Sequence, residues 1–350
     1  MKCLKNGVVQ FDGSAYIGGY ASAVGPKEND GRYGGKFDYA ADSTDFGETS
    51  WEKSETFLQK TAYNIAMNKV GGKEGSDNCE ISVLFGGDLL NQCAATSFTM
   101  RDIDLPFSGI YGACSTFAQG LLLSGVYLSA VDKTDEQRNV NVAALSSSHF
   151  CTAERQFRFP LGYGGQRTPT AQWTATAAGC AVMSTGIIPH GNKNNIHING
   201  GAFGAVRDMA IKDVSNMGAA MAYAAYDSIK KYFGESKTAP DDYDYVVTGD
   251  LGLVGVGIIK ELFTRDGVDT TNFADCGEMI YDIATQDVHS GGSGCGCSAA
   301  IMCAEFFPKL ESGEYTRILF GGTGALLSPV TSAQGESIPG ICHVVDLGIK

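Results

Sequence analysis

The sequence predicts an α/β protein built from two similar halves, and three observations carry that prediction. Two distant segments, 109–123 and 291–305, read alike: a Gly-rich turn, then Cys-Ser (Cys114-Ser115 and Cys297-Ser298), then a mostly apolar helical run. Self-similarity of this kind marks a duplicated architecture. Strand-length apolar runs alternate with helix-length periodic segments, which predicts a largely parallel sheet with covered faces. The 350 residues are 43% hydrophobic, and the 46 glycines cluster in short turns rather than in low-complexity tracts. Such a chain can bury a large core joined by tight connections. The halves are placed at residues 1–190 and 191–350.

In the first half, residues 8–11 and 15–17 read as short strands. Residues 55–70 form a helix with Phe57, Leu58, Ala62, Ile65 and Ala66 at helical spacing, stopped at Gly71-Gly72. Residues 81–85 form a buried strand ending at Gly86-Gly87-Asp88. The Cys114 turn and a helix to about Ala130 follow, then a strand over 140–145 and the polar turn Ser146-Ser147-Ser148-His149. Residues 150–169 hold Arg155, Arg158 and Arg167 among aromatics, glycines and prolines, and read as an irregular excursion. A strand follows over 174–183. The second half repeats the plan: strand 195–199, helix 216–232, strand 245–248 ending at Gly249-Asp250-Leu251-Gly252, the Cys297 turn and helix, strand 317–320 ending at Gly321-Gly322-Thr323-Gly324, and strand 342–347. Ligands in open α/β sheets collect at the carboxyl ends of strands. The turns after Phe85, Leu145, Thr248 and Phe320 and the two helix starts are therefore expected to converge.

The net charge of −13 and the lack of a basic stripe exclude nucleic acid as a partner. Eleven scattered cysteines, many within apolar runs, read as reduced, buried thiols. Cys295-Gly-Cys297 lacks a second ligand pair, so no metal site is expected. The first nine residues carry no apolar signal core, and the charge-free stretch 168–188 is too polar to span a membrane. Any membrane association is expected to be peripheral or through a partner. Cysteines at helix starts are expected to have lowered pKa values and to sit beside N–H donors.

The duplicated plan, with Gly112-Ala-Cys114-Ser-Thr at a buried helix start, resembles the thiolase and ketoacyl-synthase superfamily. The longer motifs Trp51-Glu-Lys-Ser-Glu55, Thr152-Ala-Glu-Arg-Gln-Phe-Arg-Phe-Pro160, Gln172-Trp-Thr-Ala-Thr176, Thr248-Gly-Asp-Leu-Gly252 and the run from His289 to Ser298 resemble the stage V sporulation protein AD family across essentially the whole chain. The resemblance implies a thiolase-like fold, in which two duplicated α/β halves form a five-layered αβαβα sandwich. It also implies binding of dipicolinic acid, free or as its calcium chelate, during uptake into the developing spore. No other cofactor is implied. The expected partners are dipicolinic acid, membrane proteins of the same sporulation operon and a second copy in a homodimer. The expected place is the forespore cytoplasm, at the spore inner membrane through those partners.

A thiolase-type condensation needs a thiol, a His at the second-half strand end and a second acid/base. Thr248-Gly-Asp250 offers no imidazole, and a carboxylate there would oppose an oxyanion and raise the Cys114 pKa. The residues therefore favour non-catalytic binding; the alternative is an acyltransferase or condensing enzyme with Cys114 as nucleophile. The expected ligand-binding set is Cys114, His149, Arg158, Thr248, Asp250, His289, Gly292, Ser293 and Cys297. Several have a packing reading beside it: Cys114 and Cys297 as core thiols, His149 as a turn residue, Arg155 and Arg158 in ion pairs or at a subunit interface. Ser293 is small enough to leave room for a flat ring, and Asp250 would suit an accompanying calcium ion.

Overall fold

The computed structural model describes residues 1–13, 15–71, 79–131, 139–154, 167–187 and 194–349. Ten strands form the frame. Those of the first half are β1 (Tyr16–Val24), β2 (Ile81–Gly87), β3 (Phe107–Gly109), β4 (Asn141–Ser148) and β5 (Ala177–Ser184), in spatial order β3-β2-β4-β5-β1. Those of the second are β6 (Ile196–Ala202), β7 (Tyr245–Thr248), β8 (Phe273–Asp275), β9 (Arg317–Ala325) and β10 (Gly340–Ile349), in order β8-β7-β9-β10-β6. The two orders match strand for strand. The boundary at 190/191 falls outside the described residues.

Each array is mixed, where the sequence suggested a largely parallel sheet. β2 runs parallel to β3 and β4, and β7 parallel to β8 and β9. β5 and β10 run antiparallel to both their neighbours. The reason lies in the connections: parallel neighbours need a crossover, antiparallel ones only a loop. β9 reaches β10 through residues 326–339, whose only helix is the short Pro329–Ala333.

Six helices make three layers. They are α1 (Trp51–Lys69), α2 (Ala94–Ile103), α3 (Thr116–Ser129), α4 (Met217–Ser236), α5 (Gly252–Arg265) and α6 (Cys295–Ile301). α1, flanked by α2, covers one face of β1, β5 and β4; α4, flanked by α5, covers β9 and β10. Between the arrays lie α3, which touches β2 and β4 on one side and β9 and β10 on the other, and α6, which packs on β4 and β5. α6 continues through a π turn (Met302–Phe306) into Phe307–Ser312, which reaches β6 and β10. The two arrays join edge to edge where Tyr16 and Ile17 of β1 pair with His197 and Ile196 of β6.

Caps and residue size explain the boundaries. α1 starts at Trp51, earlier than the periodicity suggested, because the Ser50 hydroxyl accepts from Lys53 N. Asn216 caps α4 in the same way. β4 and β5 are buried at every position, and they are rich in Ala, Gly and Ser because helices press on both faces. At Gly179 a Cβ would stand 2.6 Å from Ala299 of α6. Ser146, Ser147 and Ser148, read from sequence as a turn, are the fully buried end of β4. Ser146 donates to the Cys295 carbonyl, and Ser148 accepts from Gly296 N, so these serines seat the start of α6.

Candidate functional site

Two helix starts meet at the centre. Cys114 immediately precedes Ser115, the N-cap of α3, and Ser293 immediately precedes Gly294, the N-cap of α6. The twin of Cys114 is therefore Ser293, not Cys297 as the sequence alignment suggested. Cys297 is the third residue of α6, because that helix begins at Cys295. The two twins face each other, with Cys114 Sγ 3.8 Å from Ser293 Oγ. Ala113, just before the thiol, sits at φ 49, a left-handed conformation that is strained for a residue with a Cβ.

Asp250 lies beneath this pair, fully enclosed. Its Oδ2 accepts from Ser293 Oγ (3.1 Å) and Gly294 N (3.0 Å), and its Oδ1 accepts from Thr323 Oγ1 (2.7 Å). With the Ser293 proton given to Asp250, the Cys114 thiol donates to Ser293 Oγ. Gln172 Nε2 clamps the loop by donating to the Asp250 and Gly292 carbonyls, both at 2.7 Å. Burial raises the Asp250 pKa to about 7. Burial, then the Asp250 charge, pushes the Cys114 thiol well above its ordinary value. The expected lowering by a helix N-terminus is overturned: desolvation and a neighbouring carboxylate outweigh the dipole. The expectation that Asp250 would raise the thiol's pKa agrees with the geometry.

A cavity of about 500 Å³ opens over Cys114. Its walls are segments 89–93, 111–114, 152–154 and 325–329, with Glu52 and Met217. It thus lies between the two halves, and Tyr111, half exposed, stands at it. Its described lining contains two carboxylates, Glu52 and Glu154, and no Lys, Arg or His.

The expected residues separate accordingly. Cys114, Ser293 and Asp250 come together. Thr248 is turned away, donating to Asp275 Oδ2 at 2.6 Å. Gly292 packs against Ile280, Tyr281 and Cys297, and Cys297 itself is core, its thiol pushed up by burial. His149 is pinned away from the cavity: Nε2 meets the Thr44 carbonyl at 2.8 Å, Nδ1 accepts from Cys151 N, and Trp51 and Phe46 flank the ring. His289 Nδ1 meets the Thr168 carbonyl at 2.6 Å, and its Nε2 meets Asp287. Arg158, like Arg155, lies outside the described residues.

Four of the N–H donors expected at the second turn are spent internally: Gly291 N on Val288 O, Gly294 N on Asp250, Gly296 N on Ser148 and Cys297 N on Gly294 O. Sequence reasoning missed Thr323 as an Asp250 partner, although its turn was among those expected to converge. It also missed Glu154, Tyr111 and the 89–93 wall, which carry no motif of their own. His343 was missed as well. Its Nδ1 accepts from Gly204 N, and its Nε2 lies 3.7 Å from where a Cβ on Gly112 would stand, behind the Cys114 turn. Burial lowers its pKa to about 4.

Among the described residues no cluster of three or more His, Cys, Asp or Glu is placed to hold a metal ion. None of the described helices is long and apolar enough to cross a membrane.

Solved structures share this architecture at low sequence identity. A variant of OleA from Xanthomonas campestris superposes with a TM-score of 0.60 at 12% identity, covering 97% of this chain and 99% of that one. The 3-oxoacyl-(acyl carrier protein) synthase III, FabH, from Xanthomonas oryzae pv. oryzae gives 0.57 at 13%, covering 97% and 100%. The fold is thiolase-like. A much nearer relative, stage V sporulation protein AD of Bacillus subtilis (strain 168), is 38% identical over 336 residues, 96% of this chain and 94% of that protein. The sequence profile of stage V sporulation protein AD (SpoVAD) matches residues 5–348. The chain belongs to the stage V sporulation protein AD family, and so to the proteins of sporulation.

Proposed function

We propose that the protein binds dipicolinic acid in the cavity over Cys114, without turning it over, for uptake into the developing spore. The observation that carries the non-catalytic part is the Asp250 carboxylate beneath the thiol. Its charge raises the thiol's pKa where a condensing enzyme needs an imidazole, and no described lining residue supplies one. The ligand's identity comes from the resemblance to the sporulation family. The cavity volume exceeds what one pyridine ring with two carboxylates needs, and Leu90, Leu327 and Tyr111 offer apolar surface to a flat ring. Glu52 and Glu154 disfavour a bare dianion, so the calcium chelate is the form that suits the lining. Membrane proteins of the same operon bring the protein to the spore inner membrane on the forespore side, and the protein works as a homodimer.

Calorimetry with dipicolinate, with and without calcium, tests this beside a panel of acyl-CoA thioesters. Saturable dipicolinate binding is expected, tighter with calcium. Folded Cys114→Trp, which fills the cavity floor, is expected to lose it entirely. Undiminished binding by that variant would place the ligand elsewhere. Steady release of condensed product, abolished by Cys114→Ser, would establish the acyltransferase reading in its place.

A further inference from the structure

Two of the cavity's walls hang on a buried acid pair that the binding reading does not use. Glu55, on α1, is fully enclosed. Its Oε1 accepts from Ser147 Oγ at 2.8 Å, its Oε2 has no partner, and the Thr152 hydroxyl lies beside it while donating to the His149 carbonyl at 3.0 Å. Asp88, at the end of β2, accepts from Leu90 N (2.8 Å), Thr96 N (2.8 Å) and Thr96 Oγ1 (2.6 Å). Gln59 ties the two sides together, its Nε2 donating to Thr96 Oγ1 and Ser147 Oγ, while its Oε1 is buried without a partner. Asp88 thus holds the start of 89–93 and Glu55 adjoins Thr152 of 152–154, two of the four cavity walls. The first is strained: Gln92 and Cys93 both sit at positive φ, 58 and 50. Such a conformation persists only while its surroundings enforce it.

We propose that Glu55 and Asp88 form a proton-operated latch: with Glu55 protonated the 89–93 and 152–154 walls are seated, and loss of that proton releases them and opens the cavity.

The physical reason is charge. Burial raises the Asp88 pKa too, but its three hydrogen bonds favour the charged form, so a second carboxylate charge beside it, with no water to solvate it, is costly. Among the described residues neither acid has a salt bridge. The other titratable groups facing Glu55 worsen the repulsion or remain neutral. Glu52 adds negative charge from one turn earlier on α1. Cys295 of α6 has a thiol pushed up first by burial and then by Glu55 and Asp88 themselves, with Asp250 and Glu154 adding to it. Cys93, on the wall, is raised by burial and by Asp88. Burial and Asp88 together raise the Glu55 pKa to about 8, which puts the transition in a mildly alkaline range. The latch concerns the cavity whatever occupies it, so its test needs no ligand.

Hydrogen exchange of the full chain between pH 6.5 and 9.5, corrected for the intrinsic pH dependence of exchange, reads it out. Wild-type amides of 89–93 and 149–154 are expected to lose protection by at least tenfold with a midpoint near 8, while α4 and α5 hold. Glu55→Gln, which mimics the protonated acid, is expected to keep those amides protected throughout. An unchanged wild type up to pH 9.5, or a Glu55→Gln profile that follows wild type, overturns the latch. If Glu55→Gln does not fold, the wild-type profile decides alone: loss shared evenly with α4 and α5 is global unfolding and refutes it.

Discussion

The twin helix starts of this protein share a layer and a direction of approach, yet they do opposite things. At the start of α3 the residue before the cap is Cys114, the cap is Ser115, and the second helical residue is Phe117. At the start of α6 the same three positions hold Ser293, Gly294 and Gly296. The α3 start opens onto the cavity. The α6 start is sealed: the Gly294 and Gly296 N–H groups and the Ser293 hydroxyl go to Asp250 and Ser148, and its glycines let backbone press against backbone. A duplicated fold thus supplies two candidate anion sites, and side chains decide which is used. The second is consumed internally, and the Asp250 it holds then sets the chemistry of the first.

Filling the sealed start should have the largest effect. A Cβ on Gly296 would lie 2.1 Å from the Ala177 carbonyl oxygen and 2.8 Å from Ser148 N, both backbone. Gly296→Val is expected to cost at least the ~3 kcal/mol at the top of the ordinary overpacking range, because no flexible side chain can yield. Denaturant unfolding measures it. A loss below about 1 kcal/mol would mean that α6 is not seated as described.

This asymmetry marks the limit of what the sequence discloses. The duplication and eight of the ten frame strands were legible because Gly-rich turns recur after apolar runs in both halves; the short strands β3 and β8 and the order across the sheet were not. The mixed direction was not read out, although the lack of a helical pattern between β4 and β5 already favoured an antiparallel return. α2 and α5 escaped because no side-chain cap marks where either begins, although their helical periodicity is at least that of α1. Cys114 and Asp250 were legible as a pair, since a thiol turn and a carboxylate where an imidazole belongs are local signals. The pairing of Cys114 with Ser293 was not: matching cysteine to cysteine shifted the second motif, and only the helix start at Cys295 sets the register. His149 and His289 were plausible by type, but backbone partners that no local pattern reveals hold both elsewhere.

Asp250 links the two starts, and removing its charge should sharpen the contrast between them. Asp250→Asn keeps the shape and is expected to speed iodoacetamide labelling of Cys114 by about tenfold for each pKa unit the thiol recovers. Cys297, packed in the core, should stay unlabelled in both proteins. Its pH signature is separate. The folded acid keeps its proton up to about 7, whereas the unfolded one releases it near 3.8. Between those values the folded state binds more protons, so stability falls as pH rises and then levels off. Relative to Asp250→Asn, the wild type should lose on the order of 3 kcal/mol from pH 4 to 7 and nothing further above it. A stability difference independent of pH would show that Asp250 is ionised throughout and that its burial is compensated more fully than three donors suggest.

The smallest effect should discriminate best, because it compares single-group deletions at twin positions. Ser293→Ala removes one hydrogen bond to a buried carboxylate that keeps Thr323 and Gly294 N as donors. A hydrogen bond to a charged group is worth ~1.5–3 kcal/mol, and the remaining donors hold the loss near the low end. Because Ser293 is not part of the cavity wall, dipicolinate affinity should change less than twofold. Cys114→Ala reverses the pattern. It deletes a thiol that packs on one side and faces the cavity on the other, so stability should fall by only about 1 kcal/mol, the scale of one neutral hydrogen bond. Affinity should weaken severalfold, without being abolished, because no covalent bond is made. Unfolding curves and titrations of both variants under one set of conditions settle the matter. If Ser293→Ala loses affinity as much as Cys114→Ala, the two starts share the ligand and the α6 start is not sealed. If Cys114→Ala loses all binding while remaining folded, the thiol does more than line a wall, and the condensing-enzyme reading regains its ground.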